Sequence, residues 1–135
     1  MGDQAPLRTV LRIDYPVAAA ITSDLSFTVP SPVAGSVSSV KYFPVAALSG
    51  ADTNSRTLSV VNKKADASGT ATVASLALTS GKNLVAFVGK AITLSTTAAD
   101  LAVAAGDVLN VLSTHVGNGL TDPGGTFEIV IDRTA

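Results

Sequence analysis

Turn signals recur at short intervals along this sequence, and their spacing constrains the fold more than any other feature. Each signal supplies a residue that tolerates positive φ or a proline with its fixed φ, as a chain needs when it reverses between strands. The signals lie at residues 30–32, 35, 50–52, 66–69, 81–83, 106–107, 117–119 and 122–125. Because β-branched residues fill the segments between them, we predict short strands joined by tight turns.

The last segment shows the clearest alternation of apolar and polar residues. Phe127, Ile129 and Ile131 share one face, which predicts a strand with one side in the core. Residues 107–116 are apolar on both faces, which predicts a central strand. Further strands are predicted at residues 25–29, 36–43, 56–63, 70–78 and 84–88.

The alanine-rich residues 97–105 are the most ambiguous part of the chain. Alanine favours helix, so a short helix is one possibility. We predict instead a turn near Thr97 to Asp100 that leads into a strand ending at Gly106-Asp107. The count of about eight strands then predicts an all-β, single-domain, two-sheet β-sandwich of the jelly-roll type.

The first 22 residues form a segment of different character, and we assign residues 23–135 to the sandwich itself. Apolar and charged residues mix in this segment between Pro6 and Pro16. It is either the first strand of the sandwich or an arm that pairs with a neighbouring chain. In the second case the expected contact residues are Leu7, Arg8, Val10, Leu11, Arg12 and Tyr15.

Few residues of this sequence could support catalysis. His115 is the only histidine, which excludes a metal site built from several imidazoles. Ser113 shares its strand face, but the chain has no nucleophile elbow, so we expect His115 to be a strand-end or interface residue. Glycoside hydrolysis needs two carboxylic acids across a cleft, and Glu128 is the only glutamate. We therefore expect no enzyme activity and no cofactor.

The aspartates fall mostly in turns, where such side chains accept hydrogen bonds from backbone amides. Five of them are expected in this capping role: Asp24, Asp52, Asp66, Asp107 and Asp122. Residues 52–54 and 66–69 each offer a pair of oxygen ligands, which leaves a structural calcium between loops as an alternative.

The chain has few aromatic residues and no tryptophan, which argues against an aromatic platform on which sugars would stack. Most of the aromatic residues alternate inside predicted strands and are needed for the core. Only Tyr15, Tyr42 or Phe43 could be spared for a ligand.

Charge and cysteine content exclude several classes of partner. The chain has no cysteine, a net charge of −1 and scattered basic residues, so we expect neither disulfides nor nucleic-acid binding. It has no apolar run of the ~20 residues that a membrane helix needs. The first residues lack a signal-peptide profile, so we expect a soluble protein made in the cytoplasm, without a membrane partner.

One set of segments runs through most of the chain and has a recognisable pattern. The set comprises residues 27–30, 32–37, 50–54, 56–58, 101–109, 115–119 and 122–125. Through these segments, residues 25–132 resemble small head decoration or minor capsid proteins of tailed bacteriophages. The resemblance implies a jelly roll, often a homotrimer, that binds the major capsid protein on the outside of the head and reinforces the lattice. It therefore implies a location on the capsid exterior of a virion.

A binding module is the alternative function. A jelly roll that recognises carbohydrate or a receptor, on a virion or cell surface, would need an aromatic-lined or calcium-lined groove. The loops near residues 50–55, 81–83 and 117–125 are the expected places for such a groove.

Overall fold

The computed structural model describes residues 7–15, 24–118 and 120–133. They form nine strands and one helical turn: β1 (Arg8–Tyr15), β2 (Leu25–Pro30), β3 (Gly35–Pro44), β4 (Ser55–Asn62), β5 (Ala71–Ala77), β6 (Lys90–Ala91), α1 (Ala98–Leu101), β7 (Ala102–Val103), β8 (Val108–Val116) and β9 (Gly125–Arg133). The all-β prediction is confirmed. Within these residues, no helix has the length and apolar character needed to cross a membrane.

The strands form two antiparallel sheets that pack face to face. The first sheet has the order β1-β9-β3-β6, with β7 also beside β3, and the second has the order β2-β8-β4-β5. The pairs are nested: β1 pairs with β9, β2 with β8, β3 with β6 and β4 with β5. This nesting is the double Greek key of a jelly roll, as the sequence predicts.

Alternating side chains fill the space between the sheets. Phe127, Ile129 and Ile131 are all buried, which confirms the predicted core face of β9. The second sheet contributes Leu109 and Val111 from β8, which lies between β2 and β4 and is central as predicted. Burial of these side chains is the main contribution to the stability of the sandwich.

Tyr42 belongs to this core and is not spare for a ligand, so that part of the sequence prediction is wrong. Its ring is 0% exposed and lies 4.8 Å from the ring of Phe127, its neighbour in the β3–β9 register. Tyr42 points inward because it shares the face of Val40 and Val37 across a bulge near Ser38.

The predicted strand at residues 84–88 is also wrong. Leu84 makes a single bridge to Leu48, after which the chain turns, with the amide of Val88 donating to the carbonyl of Val85 at 3.1 Å. Phe87 has a φ of +65°, which no strand residue adopts. The run of apolar residues therefore forms an exposed turn, and the pairing with β3 begins only at Lys90.

Within residues 97–105, Ala98–Leu101 form a helical turn, α1, where the sequence analysis favours a plain turn. The amide of Asp100 donates to the carbonyl of Thr97, and the Asp100 carboxylate accepts from the hydroxyl of Ser95. The predicted strand that follows is confined to β7.

Residues 8–15 of the N-terminal segment form a strand of the sandwich itself. β1 pairs with β9 along its whole length, from Arg8 opposite Asp132 to Tyr15 opposite Gly125. The other residues of the predicted 1–22 segment that precede Leu7 or follow Tyr15 lie outside the described part of the chain.

Candidate interaction surfaces

A buried polar cluster closes one end of the sandwich, where β4 begins and β8 approaches its end. Arg56 and Asp122 have fully buried side chains, with 3.8 Å between a guanidinium nitrogen and a carboxylate oxygen. Arg56 donates from Nε to the carbonyl of Leu120 at 2.8 Å and from Nη1 to the Ser113 hydroxyl at 2.9 Å. The guanidinium charge is thus balanced and hydrogen-bonded, as burial requires.

The carboxylate of this cluster connects the two sheets. Asp122 accepts hydrogen bonds from the hydroxyls of Ser113 in the second sheet and Tyr42 in the first. It also accepts from the backbone amide of Gly124 at 2.8 Å. We call Arg56, Ser113, Tyr42 and Asp122 the Asp122 cluster. Its groups brace the fold and hold the loop that leads into β9.

A second buried carboxylate closes the opposite end, where β4 ends and β8 begins. Asp107 is 4% exposed and accepts from Asn62 Nδ2 and from the Ala104 amide, both at 3.0 Å. The ammonium of Lys64 lies 3.9 Å away. Burial raises the pKa of Asp107, but the hydrogen bonds from Ala104 and Asn62, with the charge of Lys64, outweigh it and lower the pKa below 3.8.

These two clusters were missed by the sequence analysis, although one signal points to them. Arg56 and Asn62 share a face of β4 with Leu58 and Val60, which are buried. A polar residue in phase with core residues must be buried with partners or lie at the rim. The partners come from Asp107 and Asp122, which are distant in sequence.

His115 lies at the rim near the end of β8, where the sequence analysis expects a strand-end residue. Its ring Nδ1 and its backbone amide both contact the carboxylate of Asp24. The amide hydrogen bond from His115 is the largest cause that lowers the pKa of Asp24. Ser113 points into the Asp122 cluster instead, so the structure separates the serine and histidine into two environments.

The predicted capping role of the five aspartates is confirmed, since each accepts a backbone amide. The donors are the amides of His115 to Asp24, Ser80 to Asp52, Ser68 to Asp66, Ala104 to Asp107 and Gly124 to Asp122. In the part of the chain that the structure describes, no three His, Asp or Glu side chains converge as a metal site would require.

Four exposed apolar side chains gather beside the Asp122 cluster, and we call them the apolar tip. They are Val45, Val85, Phe87 and Val88, exposed by 53%, 57%, 77% and 55%. The amide of Phe87 donates to the carbonyl of Pro44, which directly precedes Val45 and so brings the two segments together. Residues 43–50 and 84–89 contain no charged side chain. The two segments that carry the tip therefore contribute no ion that a partner would have to desolvate.

The backbone at Phe87 makes this exposure unusual. A φ of +65° is costly for an aromatic residue, by roughly 1–2 kcal/mol relative to ordinary backbone. The ring contributes little to the core, because 77% of it faces solvent. Strain of this kind is found mainly where a side chain serves a function other than folding.

The Asp122 cluster supports the tip through the backbone. Asp122 holds the amide of Gly124, and the carbonyl of Gly124 accepts the amide of Val45 at 3.0 Å. The carbonyl of Pro44, which belongs to the same peptide group as the amide of Val45, accepts the amide of Phe87. A continuous chain of hydrogen bonds thus runs from the buried charges to the exposed tip.

The predicted contact residues of the N-terminal segment lie at the edge of the first sheet. Leu7 and Val10 are exposed by 52% and 46%, whereas Leu11 is buried in the core. Arg8 and Arg12 lie on the outer face of the sheet and pair with Asp132 and Glu128 of β9, each at 3.1 Å. The side chain of Tyr15 lies outside the described part. These contacts with a partner stay a prediction.

Two shallow grooves lie away from the loops at which the sequence analysis expects a binding site. One, of about 380 Å³, is lined by hydroxyl groups, one carboxylate and the apolar side chains of Ala74 and Leu94. Its polar lining residues are Thr72, Ser75, Thr93, Ser95, Thr96 and Asp100. The other, of about 430 Å³, lies beside Lys63, Lys64 and Val108.

Comparisons with known proteins add one distant likeness. No protein-family model matches the chain, and no curated protein matches it. Among solved structures, the chain is similar to a protein in the structure of infectious bursal disease virus, Gx strain, with a TM-score of 0.36 and 12% identity. The match covers 93% of this chain and 32% of that one, so the chain spans about a third of the viral protein's length.

Proposed function

We propose that this protein is a structural protein of a bacteriophage virion, which binds the outside of the head lattice and reinforces it. The observation that carries the proposal is the apolar tip. An uncharged, exposed cluster on a braced loop suits a partner surface, since such patches mark interaction sites. The resemblance to tailed-phage decoration proteins supplies the partner, the major capsid protein, and a trimeric state in which several tips act together.

A structural role also fits the hydrogen-bond partners of Ser113 and His115, the two residues considered for catalysis. Ser113 donates to Asp122 inside the sandwich, and His115 faces Asp24 at the rim. Each therefore has a partner that fixes its position within the fold. Many modest contacts repeated across a lattice would be enough for reinforcement, without chemistry.

The first test is cosedimentation of the purified protein with expanded, undecorated capsids of its own source, titrated to saturation. Saturation at a fixed number of copies related to the lattice is the expected result. Absence of binding to intact shells would overturn the proposal.

Replacing Phe87 by Gly separates binding from folding. Glycine adopts a φ of +65° without strain, so the free energy of unfolding should stay unchanged or rise by up to about 1 kcal/mol. Capsid binding should fall sharply, because the most exposed aromatic ring among the described residues is gone. The matched control is Val116→Ser, which removes an apolar side chain exposed by 45% outside the tip and should bind normally. Equal binding by both variants would contradict the role of the tip.

The alternative of a carbohydrate-binding module is favoured by the hydroxyl-lined groove beside β5. Its hydroxyls and the carboxylate of Asp100 are groups that can bind sugar hydroxyls. A glycan screen with and without calcium tests it. Binding that is lost in Asp100→Ala, in a protein that fails to bind capsids, would favour this alternative.

A further inference from the structure

Among the described residues β1 is an edge strand, and every second residue turns its backbone groups outward. Among the described residues it pairs with β9 alone. The carbonyl of Leu7 accepts the amide of Arg133, so odd-numbered residues direct their backbone groups to β9. The alternation of a strand then directs the amides and carbonyls of Arg8, Val10, Arg12 and Asp14 away from the sheet. This row is a template for another strand.

The edge lacks three of the features with which proteins block such pairing, namely a bulge, a proline and an inward-pointing charge. The register of β1 with β9 is continuous over eight residues, without a bulge, and contains no proline. The inward side chains are Thr9, Leu11 and Ile13, none of them charged. Arg8 and Arg12 lie on the outer face, tied to β9, and leave the edge open.

The adjacent flank of the sandwich is apolar as well. β2 is the edge strand of the second sheet and contacts β1, so both edges lie on one side of the molecule. Ile13 of β1, with Leu25, Phe27 and Val29 of β2, is only partly buried against the core. A neighbour that extends the first sheet would cover part of this surface.

The charges of β1 match those of a second β1 that runs antiparallel to it. With Leu11 opposite its own copy, Arg8 lies opposite Asp14 and Val10 opposite Arg12. A register centred on Val10 would instead oppose Arg8 to Arg12, and one centred on Arg12 would oppose two copies of Arg12. Opposed like charges destabilise a strand pair, so the charges disfavour both of these registers. A register centred on Ile13 would oppose Arg12 to Asp14 but would pair only residues 11–15 of β1, so the register centred on Leu11, which pairs residues 8–14, is favoured.

We propose that a second copy of this chain pairs its β1 with this β1, antiparallel and centred on Leu11. The outward backbone groups of residues 8, 10, 12 and 14 then exchange hydrogen bonds with those of 14, 12, 10 and 8. The two first sheets become one continuous sheet across a two-fold axis. This contact does not depend on the capsid proposal and is distinct from any three-fold contact.

The absence of cysteine from the chain permits a direct test of the register. Val10→Cys and Arg12→Cys are prepared separately, one with a tag that changes its mass, and each is oxidised alone and in an equal mixture. Directly opposed strand residues meet the Cα spacing of a disulfide. We expect the mixed disulfide dimer to form in several-fold higher yield than either like dimer. Ser38→Cys is the control, because Ser38 is exposed on the same face of the sheet but lies within β3. Its dimer yield measures the disulfides that form by random collision.

Each other outcome of this experiment overturns the proposal. Preferential dimers of Val10→Cys alone, or of Arg12→Cys alone, would place the axis at a different residue. Yields no higher than those of Ser38→Cys would show that β1 does not pair with itself and leave its edge to another partner.

A proline variant gives a second measurement that needs no cysteine. Val10→Pro removes an outward amide and no bond to β9, so the fold should persist while self-association is lost. Light scattering over a concentration series should show the rise in mass from 13.5 kDa in the natural chain and not in the variant. Circular dichroism verifies the fold. An unchanged mass profile in a folded Val10→Pro protein would contradict the pairing.

Discussion

The two ends of the sandwich are each closed by a buried carboxylate, but they stabilise it by different means. At one end Asp122 faces Arg56, a cation with no exposed surface. At the other end Asp107 takes its hydrogen bonds from uncharged amides, and its cation is Lys64, whose side chain is 48% exposed. One strand, β4, supplies a residue to each end. Only the Asp107 end therefore has its cation in contact with solvent.

The two ends also differ in the surface that each one supports. The Asp122 end holds the apolar tip through Gly124 and Val45, and a loop that presents such a tip must keep its shape. The Asp107 end is beside the loop of Lys64 and Ala67, two residues with positive φ at the solvent. A costly buried ion pair therefore lies beneath the surface that we propose to be functional.

Replacing Arg56 by Met should give the largest loss of stability. The Asp122 carboxylate would remain buried without its cation, which costs about 3–5 kcal/mol. Urea unfolding measures the loss. The double variant Arg56→Met with Asp122→Asn should lose less than the single variant, because no buried charge remains. An equal loss in both would contradict the importance of charge at this end.

Replacing Asp107 by Ala should destabilise the protein less. The change leaves Asn62 and the Ala104 amide without their acceptor, at a cost of about 1–3 kcal/mol. The same urea experiment gives the value. A loss greater than that of Arg56→Met would reverse the comparison between the two ends.

The Asp107 end should also respond to acid. The pKa of Asp107 is lower in the folded chain than its ordinary 3.8, so ionisation of this carboxyl stabilises the fold above that value. The contribution is lost as the pH falls through the folded pKa. We expect the stability difference between the natural chain and Asp107→Asn to shrink below about pH 4. A difference that grows with acid would contradict the lowered pKa.

Replacing Asp24 by Asn should have the smallest effect. The Asp24 side chain is 56% exposed and that of His115 is 45% exposed, so their contact lies largely in solvent, where it adds little to stability. The melting temperature should be unchanged. An NMR titration should nevertheless show the Asp24 carboxyl ionising below its ordinary pKa of 3.8, with the amide of His115 reporting the change. A clear drop in melting temperature would contradict this expectation and show that the exposed contact between Asp24 and His115 also stabilises the fold.

The sequence predicts those parts of the fold in which local pattern and tertiary environment agree. The alternation of Phe127, Ile129 and Ile131 reports burial on one face, and the structure places all three in the core. The run at residues 84–88 is also apolar, but only Leu84 in it is buried, so pattern alone wrongly places the run in a strand. The amide of Phe87 donates to the carbonyl of Pro44, which is distant in sequence.

The candidate surfaces were harder to predict, because each depends on which distant segments meet. Arg56 resembles an exposed strand residue until Asp122 and Ser113 are brought beside it. The N-terminal segment was recognised by its mixed apolar and charged residues, and its strand at residues 8–15 matches one of the two alternatives. That its amides point outward follows only from the register with β9.

The nested pairing of the strands has a consequence for the order in which the molecule can form. β4 and β5 pair across a short connection, with Asn62 opposite Ala71, whereas β1 and β9 join residues as far apart as Arg8 and Asp132. Closing so long a loop is slow, so such topologies fold on the scale of milliseconds to seconds. During synthesis β1 leaves the ribosome before β9, its eventual neighbour. Until β9 follows, both edges of β1 are open, and a nascent chain nearby offers an identical strand.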